Sequence, residues 1–169
     1  SVIYNYKKNM VKNKNIYMNK LTAIDKSLLY GKPATVRELL EGLQSKVFSK
    51  SSKEAPITIS TTGEVTELLT VVYKCTDCEW LHLDGGYNIS NHYSAGDVVY
   101  IDKSDEEDCV SIGEMISLIE EGDIDLDSPI IISCSIDNNS FPMTMLIKCS
   151  ESCPSAHITF HVSNEIIMN

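Results

Sequence analysis

No run of about 18 uncharged apolar residues occurs anywhere in this 169-residue chain, so the sequence offers no candidate membrane-spanning helix. The first twenty residues are lysine- and asparagine-rich and lack the continuous apolar core of a secretory signal. Together these absences predict a cytoplasmic protein with no membrane partner. Catalytic signatures are equally scarce. The glycine-rich phosphate and dinucleotide loops, the serine nucleophile elbow and the two-histidine zinc-protease helix are all missing. The acidic stretch lacks the alternating aspartates and central glycine of a calcium loop. Nothing in the pattern therefore names an enzyme.

What charge there is leans one way. The net charge is −10, and because residues 1–20 carry five lysines and no acid, the rest of the chain carries −15. Residues 102–127 hold eleven acids against Lys103 alone. Such a surface repels nucleic acid directly and attracts a basic protein, including one that itself binds nucleic acid. The candidate partner-binding carboxylates are Asp105, Glu106, Glu107, Asp108, Glu120, Glu121, Asp123 and Asp125.

Two stretches of the chain read alike. Thr35 with Glu38, and Ser111 with Glu114, each fit a capping box, in which a hydroxyl and a carboxylate three residues on satisfy the first free amides of a helix. Apolar residues follow at one helical stripe: Val36, Leu39, Leu40 and Leu43 in the first, Ile112, Met115, Ile116 and Ile119 in the second. Each leads to a proline-headed β segment, Ala-Pro-Ile-Thr-Ile-Ser at 55–60 and Ser-Pro-Ile-Ile-Ile-Ser at 128–133. Turn chemistry at 61–64 and 137–140 precedes Val-Val-Tyr-Lys-Cys at 71–75 and Met-Leu-Ile-Lys-Cys at 145–149. A last strand follows at 79–83 and at 155–162.

These patterns predict an α+β fold: two tandem pseudo-symmetric helix-strand-strand-strand modules with antiparallel sheets, packed together. Residues 33–84 form the first and 108–163 the second. A disordered basic tail (1–20), a lead-in (21–32) whose residues 21–30 suggest a short helix, a Gly- and acid-rich linker (85–107) with one strand at 98–101, and a C-terminal tail (164–169) complete the chain. About 55 residues is near the lower limit for an independent core, so each module is expected to pack on its twin.

The cysteines supply the one chemically suggestive pattern. Cys75 and Cys78 in the first module match Cys149 and Cys153 in the second, spacings compatible with a shared four-thiolate zinc at two hairpin tips. Structural zinc, unliganded thiols and redox or nucleophilic use all remain open, the last because Lys74 and Lys148 stand beside a thiol. His82 and His157 follow four residues after their cysteines. On a regular strand that places His82 about 13 Å from Cys78, which predicts that neither histidine is a ligand. Cys109 and Cys134 read as packing residues, and Tyr73 and Trp80 as part of the contact between modules.

The helix string Thr-Val-Arg-Glu-Leu-Leu-Glu-Gly-Leu at 35–43 and the strand string Ala-Pro-Ile-Thr-Ile at 55–59 resemble a small module common in phage and bacterial proteins. In that module a Thr-Val-x-Glu-Leu-Ile-x-x-Leu helix leads to an Ala-Pro-Val-x-Ile strand and a hairpin. The resemblance implies a soluble α+β accessory protein, often phage-borne, acting in the host cytoplasm on a host macromolecule. It carries no catalytic residue and does not extend to the cysteines.

Overall fold

A computed structural model describes residues 32–61, 66–87, 93–135, 140–148 and 150–160. The tails at 1–20 and 164–169 and the expected helix at 21–30 lie outside them. Both expected helices form: α1 (Val36–Leu43) and α2 (Ile112–Glu121), each with its capping box closed by Thr35 and Glu38 or by Ser111 and Glu114. Val36, Leu39 and Leu43 of α1 are buried, as are Ile112, Met115 and Ile119 of α2, while Leu40 and Ile116 flank the core. A single 3-10 turn, Lys46–Phe48, follows α1 and buries Phe48.

Among the described residues, eight strands make one sheet. They are β1 (Ile57–Ser60), β2 (Glu67–Lys74), β3 (Leu81–Gly85), β4 (Val98–Asp102), β5 (Ile130–Cys134), β6 (Ser140–Pro142), β7 (Met145–Ile147) and β8 (Ala156–Thr159). Their order is β6-β5-β3-β2-β1-β8-β7, with β4 beside β2. β6 and β7 are separated only by Met143 and Thr144, so the path begins and ends in one stretch of chain and the sheet curls back on itself. The linker strand expected at 98–101 is β4, which pairs antiparallel with β2.

The expectation of antiparallel sheets is corrected: the sheet is mixed. β1 runs parallel to β8, with Ile57 opposite Ala156, and β3 runs parallel to β5, with Leu81 opposite Ile130. A parallel pair needs a long crossover between its strands, and the intervening helix and strands provide it. The consequence is that strands of the 33–84 segment are completed by strands of the 108–163 segment, and the two do not meet as separately finished modules.

The same exchange governs the helix starts, whose first amides have no partner within the helix. Val36 N donates to Ser128 O and Arg37 N to Leu126 O; reciprocally, Ile112 N donates to Ala55 O and Gly113 N to Lys53 O, all at 2.8–3.0 Å. Thr35 bridges Pro129, and Ser111 bridges Pro56. Each helix is therefore begun by the chain that leads into the other segment's proline-headed strand. Gly113 is needed at this contact, because a Cβ there would meet the Lys53 backbone oxygen at 2.9 Å.

One core results, in which Leu39, Ile57, Ile59 and Leu83 pack with Met115, Ile130, Ile132 and Ile158. Burying each such side chain contributes about 1.5–3 kcal/mol. Unfolding is accordingly expected as a single transition. Leu39→Ala and Met115→Ala, in different segments, should each cost about 2–5 kcal/mol. Both should lower the urea midpoint reported by Trp80 fluorescence; a Met115→Ala protein whose Trp80 midpoint is unmoved would refute the single core.

Candidate metal centre

β2 and β3 form a hairpin in which Tyr73 stands directly opposite His82 and Lys74 opposite Leu81. Their connection is a six-residue loop, 75–80, rather than a strand that runs on from Cys78. Glu79 N donates to Cys75 O at 3.1 Å, and Glu79 adopts a left-handed φ of 59°. This folds residues 76–78 back over the hairpin, so Cys78 is not on the extended strand that would hold it 13 Å from His82. Cys78 Sγ instead lies 3.2 Å from His82 Nε2. The expectation that His82 lies about 13 Å from Cys78 is thereby corrected. The ligand atoms of Cys75, Cys78 and His82 all lie within 4.8 Å of one another, and all three residues are half-buried.

The surroundings hold the imidazole in place. Tyr73 stacks on His82 with ring centroids 4.6 Å apart and planes at 27°, and Tyr93 packs against Tyr73 with centroids 5.7 Å apart and planes at 53°. Asp97 ties the loop to the residues before β4, accepting from Thr76 N at 3.1 Å and from Ser94 N at 2.8 Å. Those two amides hold the Asp97 carboxyl below its usual range.

Burial lowers the His82 pKa, against the pull of Asp84 and Asp97, and so favours the neutral, metal-competent imidazole. Burial raises the Cys78 thiol, and proximity to Cys75 adds to it, while the Trp80 amide works the other way. The Tyr73 hydroxyl is pushed far above the ordinary tyrosine value by burial and then by Asp84 and Asp97, so it stays a neutral phenol forming a wall. In the metal-free state the Cys78 thiol and His82 share a hydrogen bond; a cation would replace that proton.

Two sulfurs and one imidazole suit a borderline-soft cation such as zinc. Tetrahedral zinc with ordinary bond lengths separates sulfur from nitrogen by about 3.6 Å, so the observed gap needs to open by only a few tenths of an ångström.

The second hairpin differs. Cys153 lies in the β7–β8 connection, half-buried, with its amide on Ser150, and does not join the three-ligand group. Cys149 is outside the described residues. The described ligand atoms thus come from one hairpin and not from the two tips expected to share an ion. His157 stands opposite Ile147 and Thr58, and its Nδ1 and Nε2 are engaged by Thr58 Oγ1 at 2.8 Å and Ser60 Oγ at 3.0 Å. Cys134 is buried as expected, whereas Cys109 is half-buried.

The eight acidic residues singled out from the sequence are all exposed. They fall into two groups rather than one. Asp105, Glu106, Glu107 and Asp108 lie before α2, where Lys103 pairs with Asp108 at 3.4 Å and with Glu114 at 2.7 Å. Glu120, Glu121, Asp123 and Asp125 lie at its far end, about 15 Å away along the helix. There Glu120 accepts from Gln44.

No protein-family model, curated protein or solved structure matches this chain. Among the described residues no helix is long and apolar enough to cross a membrane.

His82 and His157 both have lowered pKa values, chiefly through burial. An unfolded histidine titrates near about 6.5, so below that pH the unfolded chain binds more protons than the folded one and stability falls with acid. In the presence of a chelator, Tm should be lower at pH 5.5 than at pH 7.5, with a smaller difference in His157→Gln. Equal Tm values at the two pH values would contradict the buried neutral imidazoles.

Proposed function

We propose that this chain is a zinc-stabilised, non-enzymatic binding domain in which Cys75, Cys78 and His82 hold the ion. The observation that carries the reading is the 3.2 Å approach of Cys78 Sγ to His82 Nε2 with Cys75 alongside. The metal staples the 75–80 loop to the strand that follows it, and its binding free energy adds to folding. Purified protein should contain about one zinc per chain, lost in Cys75→Ser and His82→Ala and retained in Cys153→Ser. Less than about 0.2 zinc per wild-type chain would remove the reading. Zinc retained in His82→Ala but lost in Cys153→Ser would favour the four-thiolate site instead.

A second reading concerns the partner. The exposed carboxylates support an acidic surface that engages a basic, nucleic-acid-binding host protein, in keeping with the resemblance to phage-borne accessory modules. The specific observation favouring it is at the C-terminal end of α2. Glu120 and Glu121 stand there against the negative end of the helix dipole, with no basic residue in the last turn. Such an arrangement is mildly unfavourable for folding and leaves Glu121 open to an outside cation. Glu121→Lys is expected to raise Tm while weakening, in a salt-dependent way, adsorption to a basic protein such as a histone. An unchanged affinity in Glu121→Lys, with adsorption insensitive to salt, would count against it.

We also read the chain as a tandem duplication. Its support is the reciprocity of the inter-segment contacts, Ile57 with Ala156 matching Ile130 with Leu81, and Thr35 with Pro129 matching Ser111 with Pro56.

A further inference from the structure

The loop between β2 and β3 places its two cysteines for a reaction with each other as well as for a shared ion. Glu79 N on Cys75 O closes a single turn of chain over residues 75–79. Residues three apart on a helical turn have Cβ atoms about 5–6 Å apart, and a disulfide needs roughly 3.5–4.5 Å. A small tightening of the turn therefore joins Cys75 to Cys78, whose sulfurs lie within 4.8 Å of each other.

The frame around the turn favours that closure. Lys74, the residue before Cys75, stands opposite Leu81 on one side and Val98 on the other, which fixes both ends of the loop in the sheet. Asp97 accepts from the amide and the hydroxyl of Thr76 at 3.1 and 3.3 Å and pins the turn between the two cysteines. Two thiols held this way give up little chain entropy when they join. Both are half-buried, so a small reagent can reach them, whereas Cys134 is buried. Cys109 and Cys153 stand outside the group.

We propose that Cys75 and Cys78 are an oxidisable ligand pair, which a small disulfide such as oxidised glutathione converts to a Cys75–Cys78 disulfide with loss of the ion. One cysteine thiolate attacks a sulfur of the reagent, breaks its S–S bond and forms a mixed disulfide, releasing one reagent thiolate. The other cysteine then attacks the protein sulfur of that mixed disulfide and releases the second reagent thiolate. Two electrons pass from the cysteines to the reagent. From the metal-free dithiol, the two cysteine protons leave with the two reagent thiols. A disulfide sulfur carries no charge to hold zinc, and His82 alone is one ligand of the four that a structural site requires. The turn is thus stapled by the ion in a reducing environment and by the disulfide in an oxidising one. The release of the ion rests on the reading of Cys75, Cys78 and His82 as a metal centre; the disulfide rests only on the geometry of the turn.

The test treats the full chain, zinc-loaded and chelator-stripped, with oxidised glutathione, following zinc with a chromogenic chelator and disulfides by peptide mass mapping. Both forms should yield the Cys75–Cys78 disulfide, and the loaded form should release one zinc per disulfide formed, with uptake restored by dithiothreitol and zinc. Cys153→Ser should behave as wild type, while Cys75→Ser should stop at a glutathione adduct on Cys78. A stripped wild-type chain that carries persistent glutathione adducts at Cys75 or Cys78, or that joins either to a different cysteine, overturns the proposal. So does a loaded chain that forms the disulfide and keeps its zinc. The stripped arm separates the two levels of failure. A disulfide there in a chain that takes up no zinc defeats the metal centre and leaves the dithiol pair standing, whereas zinc uptake without the disulfide defeats only the pair.

Discussion

Everything in this fold hangs on the exchange of backbone hydrogen bonds between the two proline-headed strands and the two helix starts. A helix begins with amides that have no partner inside it, and a strand headed by proline begins with one donor fewer. Here each deficit is met across the molecule. The carbonyls of Ser128 and Leu126 receive the first amides of α1, and those of Ala55 and Lys53 receive the first amides of α2. The parallel pairs β1–β8 and β3–β5 extend the same exchange into the sheet. Neither segment can satisfy its own polar backbone, which explains why the hydrophobic side chains of both end in one core.

The Cys75, Cys78 and His82 group, which could hold a metal, sits where the two segments differ. The first hairpin carries Cys-Thr-Asp-Cys and an aromatic residue, Tyr73, opposite its histidine. The second carries one residue more between its cysteines and Ile147 opposite His157. Without an aromatic face to stack on, His157 is taken up by hydroxyls of β1; with one, His82 is held toward the thiols. β4 and the residues before it, through Asp97 and Tyr93, buttress the first hairpin. A shared scaffold thus presents two chemically different tips.

The helices, their caps and the proline-headed strands were legible because their causes are local. A hydroxyl and a carboxylate three residues apart, followed by an apolar stripe, act within a single turn of chain. β4 was legible for the same reason, from the run of β-branched and aromatic residues Val98 to Ile101. Parallel pairing was not, since nothing in residues 57–60 says that their neighbour is 156–159. The error in the Cys78–His82 distance arose from treating residues 78–82 as regular strand, whereas β3 begins only at Leu81. The three-residue gap between Cys78 and His82 is itself a ligand-like spacing, and a longer loop would have brought it to notice.

The amino-acid sequence by itself determined the α+β class, the two helix starts, the positions of every described strand but β6, which begins where a turn was expected, and the acidic character of the surface. Each of these follows from interactions among residues a few positions apart or from composition alone. Tertiary structure decided which strands pair, that the two segments share a single core, and that Cys75, Cys78 and His82 converge. Those outcomes depend on backbone groups and side chains seeking partners far away in the chain, and on a left-handed Glu79 that reverses the loop. Pairing over long separations is chosen by the whole set of unsatisfied donors and apolar faces at once, and no short stretch of sequence contains that information.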